Sequence, residues 1–356
     1  MAEASAAGPP SAPETDGSPP APIASLATPL NLWVITGCCV ISTVGLSGDI
    51  GRHLRSGTSI TGDFWASWHL VLYAGVTGLA GWLGRLALVH GPKPMRATFG
   101  PTVVGVFVLG AGGMGDWAWH SAFGIEVDIP ALLSPPHLLL LLGLVLVVLG
   151  PVAALWRSPA TTLSWSDTGV LSLCTMCAIV IVSLFTGYLS VFSSDVVVNG
   201  YANPMVGTRL ISTEVIHGVA TLLWSSLVLT VPWLVLRLRW RLRPGLIAVT
   251  FAVLAGASAT AVQGVASEIV TAALVGGVVI DVALTVVTRG WGTDRSLLAT
   301  AVAVPTVLWT FMFVALVNSG RLVWGATLWV GSIELCTFLT LSVGGVLVLA
   351  RRAARH

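Results

Sequence analysis

From Asn31 onward the chain is a succession of long apolar runs broken by Gly, Pro and charged residues. Ten such runs are centred near residues 40, 78, 108, 144, 180, 224, 254, 279, 308 and 338. A helix needs about 20 apolar residues to cross a hydrocarbon layer about 30 Å thick, and the runs meet that requirement. In lipid every backbone polar group must be satisfied within the segment, which leaves helices as the spanning element. The pattern predicts an all-α fold: a polytopic membrane bundle of about ten transmembrane helices arranged as hairpins, with internal repeats. It divides the chain into a disordered cytoplasmic tail over 1–30, a transmembrane helical domain over 31–350 and a basic cytoplasmic C-terminus over 351–356.

Composition supports that division. The residues are 55% hydrophobic and 9% charged, whereas soluble domains carry roughly 25% charged residues. The tail is rich in Pro, Ala, Ser and Gly, holds Glu3, Glu14 and Asp16, and has no basic residue. Such a segment has too little apolar surface to order itself. It also lacks the positive start and apolar stretch of a secretory signal, so the first transmembrane helix is expected to be uncleaved.

Charge orients the hairpins. An even number of spans puts both termini on one side, and that side collects thirteen of the seventeen basic residues. Arg52, Arg55, Arg209 and Arg321 fall on the other. The positive-inside rule then places both termini in the cytoplasm of a bacterial plasma membrane and the hairpin tips outside. His53, His69, His120, His137 and His217, five of the seven histidines, cluster at those outer tips with most of the carboxylates.

The first tip reads Gly48-Asp49-x3-His53, then fifteen residues, then His69-Leu-Val-Leu-Tyr-Ala-Gly75. The second reads Gly115-Asp116-x3-His120, then sixteen residues, then His137, five leucines and Gly143. Two matched copies indicate internal duplication. A third tip resembles a worn copy, with Asp195, Asn199 and then His217.

Residues four apart share a helix face, so each Asp converges with its first His, and the second His opens the returning helix. The Gly before each Asp allows close approach of a neighbour. Ser134 is placed as an N-cap, with Pro135 and Pro136 in the first turn, fixing His137.

Two imidazoles and one carboxylate form a metal-ligand set. The expected metal ligands are Asp49, His53, His69, Asp116, His120, His137 and His217. Copper is the expected ion, with non-haem iron the alternative and zinc or haem less favoured. Asp63, Glu126 and Asp128 are placed as residues that orient the ligands. Asp195 belongs to the worn third copy, and Glu214, three residues before His217, either extends a site or its proton path or hydrogen-bonds between helices. Asp281 and Glu334 lie inside apolar helices and are candidates for a proton path.

Other features carry less. Cys174 and Cys177 form a CxxC inside an apolar run, where small thiols are ordinary core residues. Trp65, Trp68, Trp117 and Trp119 flank the tips, either as an interface belt or as the wall of an apolar pocket. Nothing in the basic residues from Arg237 to Arg243 points to nucleic acid.

The Gly115-Asp116-Trp117-Ala118-Trp119-His120 and Leu133-Ser134-Pro135-Pro136-His137-Leu138 phrases resemble a group of multipass actinobacterial membrane proteins. That likeness implies a fold and no chemistry. The order Asp, His four residues on, and a second His on the next helix is similar to the copper site in the C subunit of the particulate methane and ammonia monooxygenases. The resemblance implies copper at Asp49, His53 and His69 and at Asp116, His120 and His137.

The function expected from these residues is a copper- or iron-dependent membrane oxidoreductase or monooxygenase, acting with O2 on a small or hydrophobic substrate. The alternative is a transporter or metal-handling protein that loads at the outer tips and passes ions along Glu214, Asp281 and Glu334. Haem ligated by His69 and His137 is a third reading. The redox partner is not legible.

Overall fold

The computed structural model describes residues 26–56, 67–124, 128–158, 162–192, 209–261, 266–322 and 324–354. Among them the chain is helical, without strands, and a helix lies at each of the ten predicted runs. We number the helices α1 (Pro29–Ser56), α2 (Ser67–His90), α3 (Pro92–Phe123), the short α4 (Asp128–Leu133), α5 (Pro135–Arg157) and α6 (Trp165–Phe185). The second half holds α7 (Arg209–Arg239), α8 (Leu246–Ala261), α9 (Ser267–Val287), α10 (Thr293–Asn318) and α11 (Ala326–Ala353). Nine of these, among the described residues, are long and apolar enough to cross a membrane, and α8 is a shorter apolar helix. The fold is a polytopic α-helical bundle.

The first hairpin, α1 with α2, packs beside the second, α3 with α5. Helix α1 also touches α5, and α2 touches α3, so the four close into a ring in which the two hairpins occupy equivalent places. Helix α6 joins this ring to the second half, contacting α1, α5, α7 and α8. Helices α8, α9, α10 and α11 then follow in sequence, with α7 against α10 and α11.

Lipid chains are as apolar as leucine, so helices in a membrane associate through close packing and hydrogen bonds. The two hairpins use the same packing points. A Cβ on Gly45 would lie 2.4 Å from the Leu72 backbone nitrogen, and one on Gly112 would lie 3.0 Å from the Leu140 side chain. Gly75 sits against Ser42, and Gly143 against Leu109. Gly48 lies under the Trp68 ring, and Gly115 faces Pro136 at 3.6 Å. Counted from the Asp and the second His of each copy, these pairs are equivalent positions. The duplication read from the motif is therefore also a duplication of interhelical register.

The ends of the helices sort into two faces. Trp33 Nε1 donates to Ser166 Oγ at 2.8 Å, which puts the starts of α1 and α6 together. The basic residues at that end tie loops down. Arg239 donates to the Ser158 carbonyl at 2.5 Å, Arg243 to the Leu163 carbonyl at 3.1 Å and Arg241 to the Trp291 carbonyl at 3.4 Å. Arg351 and Arg352 both pair with Asp294, at 2.6 and 2.9 Å, joining the end of α11 to the start of α10. At the opposite face Arg321 pairs with Glu268 at 3.0 Å.

The close approaches are testable. Gly45→Ala forces α1 away from the α2 backbone and should cost about 1–3 kcal/mol by overpacking. Gly81→Ala, with nothing within 4 Å of its Cβ, should be neutral or mildly stabilising. Thermal unfolding in detergent measures both; equal midpoints would refute the packing account.

Candidate metal centre

The second copy brings its whole set together. Asp116 and His120 project from the last turns of α3, one helical turn apart, and His137 from the first turn of α5. Asp116 Oδ1 lies 3.3 Å from His120 Nε2 and 3.3 Å from His137 Nδ1. One ligand atom from each residue lies within 4.8 Å of the others, the one such group of three among the described residues.

Local structure fixes both rings. His120 Nδ1 lies 3.0 Å from the Gly124 carbonyl oxygen. A carbonyl only accepts, so Nδ1 carries hydrogen, and the ring turns its other nitrogen, Nε2, toward Asp116. Gly124 takes φ of +81°, a conformation glycine adopts without penalty, where α3 ends. Ser134 occupies the N-cap position of α5 but makes no capping bond with its side chain. Its hydroxyl instead meets His137 Nδ1 at 2.7 Å. The sequence placed the serine correctly and its partner incorrectly: a ring three residues on competes with the backbone N–H for the same hydroxyl. Pro135 and Pro136 do lie at the start of the helix.

Asp116 Oδ1 is buried and has no hydrogen-bond partner among the described residues, although the carboxylate as a whole is 25% exposed. Neither ring nitrogen meets it with hydrogen-bonding geometry. Lone pairs of a carboxylate and a bare imidazole nitrogen repel at this distance unless positive charge lies between them, as a proton or as a cation. A separation of 3.3 Å also matches the edge of a tetrahedron with bonds of about 2.0 Å, the ordinary length from nitrogen or oxygen to a transition metal. The donor set fits an ion.

The first copy repeats the frame. Asp49 Oδ2 lies 3.1 Å from His69 Nε2, joining the end of α1 to the start of α2. The His69 ring stacks on Tyr73, with centroids 5.9 Å apart and planes at 19°. His53 lies on the α1 backbone, and its side chain is outside the described residues. Helix α2 of the first copy packs on α3 of the second. The two copies therefore adjoin.

The remaining candidates are placed elsewhere. His217 Nε2 donates to the Tyr188 carbonyl at 2.7 Å, tying α7 to the turn after α6, and it does not join the group of three. Glu214 is exposed one turn earlier on α7. Asp63, Glu126 and Asp195 lie outside the described residues, as does the side chain of Asp128. Trp65 is likewise outside them, whereas Trp117 is exposed and Trp119 packs on Phe123 at 4.5 Å. Glu334 is exposed on α11, eight residues past its start, or about 12 Å along the axis. Cys39, Cys174 and Cys177 are buried in the bundle core, as the apolar reading of the CxxC anticipated.

Asp281 has a structural occupation that the sequence did not show. Its Oδ2 accepts the Ala248 backbone N–H at 2.7 Å, and the Gly245 and Ile247 N–H groups also reach the carboxylate. It caps the start of α8 from a neighbouring helix, serving donors that have no partner within their own helix. No local capping residue marks that start, so nothing nearby in the sequence signals the role.

Comparison with family models, curated proteins and solved structures finds no match. The capping role gives a prediction: Asp281→Ala should lower stability by about 1–2 kcal/mol, as loss of a cap does. Metal content of the folded fraction should not change. Loss of a bound ion with unaltered unfolding would contradict this assignment.

Proposed function

We propose that the chain is an integral membrane metalloprotein, a copper- or iron-dependent oxidoreductase of monooxygenase type, whose ion is held by Asp116, His120 and His137. The observation that carries the reading is the buried Asp116 Oδ1, which faces two ring nitrogens at 3.3 Å with no hydrogen bond from either. Two imidazoles and one carboxylate with open positions suit iron, and imidazole-rich sites suit copper, which heads the affinity order of the divalent first-row metals. Bound there, such an ion supplies open coordination positions for oxygen and substrate, the requirement of an oxidative reaction.

The chain's own residues then do the following. The Gly124 carbonyl holds the His120 tautomer that presents Nε2. Ser134 holds the His137 ring, and an ion at Nδ1 would replace that hydrogen bond. Met114, Trp117 and Phe123 are exposed on the turns around Asp116 and His120, an apolar surface by which a hydrophobic substrate would arrive from the lipid. The excess of Arg and Lys at the other end supports an extracytoplasmic site with both termini in the cytoplasm.

The transport reading has less support. Asp281 is engaged by backbone N–H groups and Glu334 faces away from the bundle, so neither continues a line of acids from the outer face.

Elemental analysis of purified protein offered copper and iron tests the proposal. We expect about one equivalent of one of them in the wild type at this set, as a specific three-ligand site holds. His120→Ala and His137→Ala should each remove it. A wild type without either metal ends the proposal.

A further inference from the structure

The arginine face carries charge that its own acids leave unanswered. Among the described residues those acids are already engaged: Asp294 with Arg351 and Arg352, Asp167 with the Ser164 cap, and Asp281 with the start of α8. Arg157, the last residue of α5, and Arg239, the last of α7, pair with no carboxylate among the described residues. Each instead gives a hydrogen bond to a neutral carbonyl, Arg157 to Thr98 and Arg239 to Ser158, the residue that follows Arg157. A guanidinium has five donors in a fixed fork, so one such bond leaves its charge and most of its donors unanswered.

Two indole rings share this corner. Trp156 and Trp240 meet edge to face with centroids 5.2 Å apart, and Arg239 Cζ lies 5.9 Å from the first and 5.6 Å from the second. Trp240 is 3% exposed, and its Nε1 is buried with no acceptor among the described residues. Arg239 Nε is buried and lacks one as well. Indole and guanidinium nitrogens only donate, and a buried donor without a partner is costly. Neighbouring orphan donors, one of them on a cation, call for an acceptor with negative charge.

We infer that the ends of α5 and α7 form a binding site for the phosphate of an anionic phospholipid, held by Arg157, Arg239 and Trp240. The site stands at the opposite end of the bundle from Asp116 and does not depend on the metal reading. It lies where spanning helices end, at the level of lipid headgroups, so a phosphodiester is the anion at hand and its acyl chains continue along the apolar helices. Arg239 meets it with the donors its carbonyl bond leaves over, and Trp240 with its N–H. Arg157, which is exposed, closes on it from the neighbouring helix end. A zwitterionic headgroup cancels its phosphate with its own ammonium, so the corner selects an anionic one.

Native mass spectrometry of the delipidated full chain in nonionic detergent tests this, with phosphatidylglycerol, phosphatidylcholine of the same acyl chains and inorganic phosphate as probes. The first phosphatidylglycerol should bind about tenfold or more tightly than phosphatidylcholine, as two cations beside one headgroup provide. Trp240→Phe keeps an aromatic ring beside Trp156 and removes the N–H. It should weaken phosphatidylglycerol about tenfold, as loss of a hydrogen bond to a charged group does, and leave phosphatidylcholine unchanged. Arg239→Gln should weaken it at least as much, whereas Arg295→Gln, at the start of α10, should not. Unfolding midpoints without lipid confirm that each variant is folded, and Trp240→Phe decides alone if Arg239→Gln is not. Equal affinity for the two lipids overturns the site, and so does a Trp240→Phe protein that binds like the wild type. Equal losses in Arg239→Gln and Arg295→Gln would reduce it to diffuse surface charge. Inorganic phosphate binding as tightly as phosphatidylglycerol would make it a site for the free anion and overturn the lipid assignment.

Discussion

The distance between paired helices governs everything at the histidine face. In lipid there is no gain from burying leucine against leucine rather than against an acyl chain, so a pair settles where backbones can touch. Gly45 and Gly75 set that contact for α1 and α2, and Gly112 and Gly143 set it for α3 and α5. Each Asp stands one turn beyond the first glycine of its pair, and each second His stands six residues before the second. Once the glycines engage, the carboxylate at the end of one helix has to meet the imidazole at the start of the next. The distances of 3.1 Å in one copy and 3.3 Å in the other follow from this register.

Much of this was legible in the sequence because it is periodic. The ten apolar runs became ten helices, nine of them long enough to span a membrane, and the spacing of Asp, His and His brought Asp116, His120 and His137 to one point. The Gly before each Asp was read as the close-approach residue, which holds for Gly48 under Trp68 and much less for Gly115. Gly45 and Gly112, one turn earlier, carry no mark in the motif, since a glycine in an apolar helix shows its use only when its neighbour is known. Asp281 illustrates the opposite case. An acid within an apolar helix suggests ion movement, but α8 begins beside it and its N–H groups claim the carboxylate.

The arginine face shows how one set of residues answers two demands. A surplus of positive charge orients a membrane chain, and it could have remained solvated. Here Arg239, at the end of α7, and Arg241 and Arg243, in the connection to α8, donate to carbonyls of two other connections. Arg243 also lies over the Trp165 ring at 3.8 Å. That end is bound together by guanidinium groups, each with several fixed donors. At the histidine end, by contrast, the four helices of the ring meet through single carboxylates and imidazole rings. The rigid end and the chemically open end are therefore different ends of the same helices.

The two copies share a frame, yet they present different nitrogens to their carboxylates. His69 faces Asp49 with Nε2, whereas His137 faces Asp116 with Nδ1. The glycine register cannot account for this, being common to both. The difference lies in the neighbours of each ring. Three residues before His137 stands Ser134, whose hydroxyl draws Nδ1 inward; three before His69 stands Ala66, which has none. His69 is instead held from the other side by the flat contact with Tyr73. Backbone packing thus decides which residues meet, and a single hydroxyl or ring beside each histidine decides what they can do on meeting. A duplicated hairpin can in this way keep its architecture while its two histidines turn different nitrogens to their carboxylates.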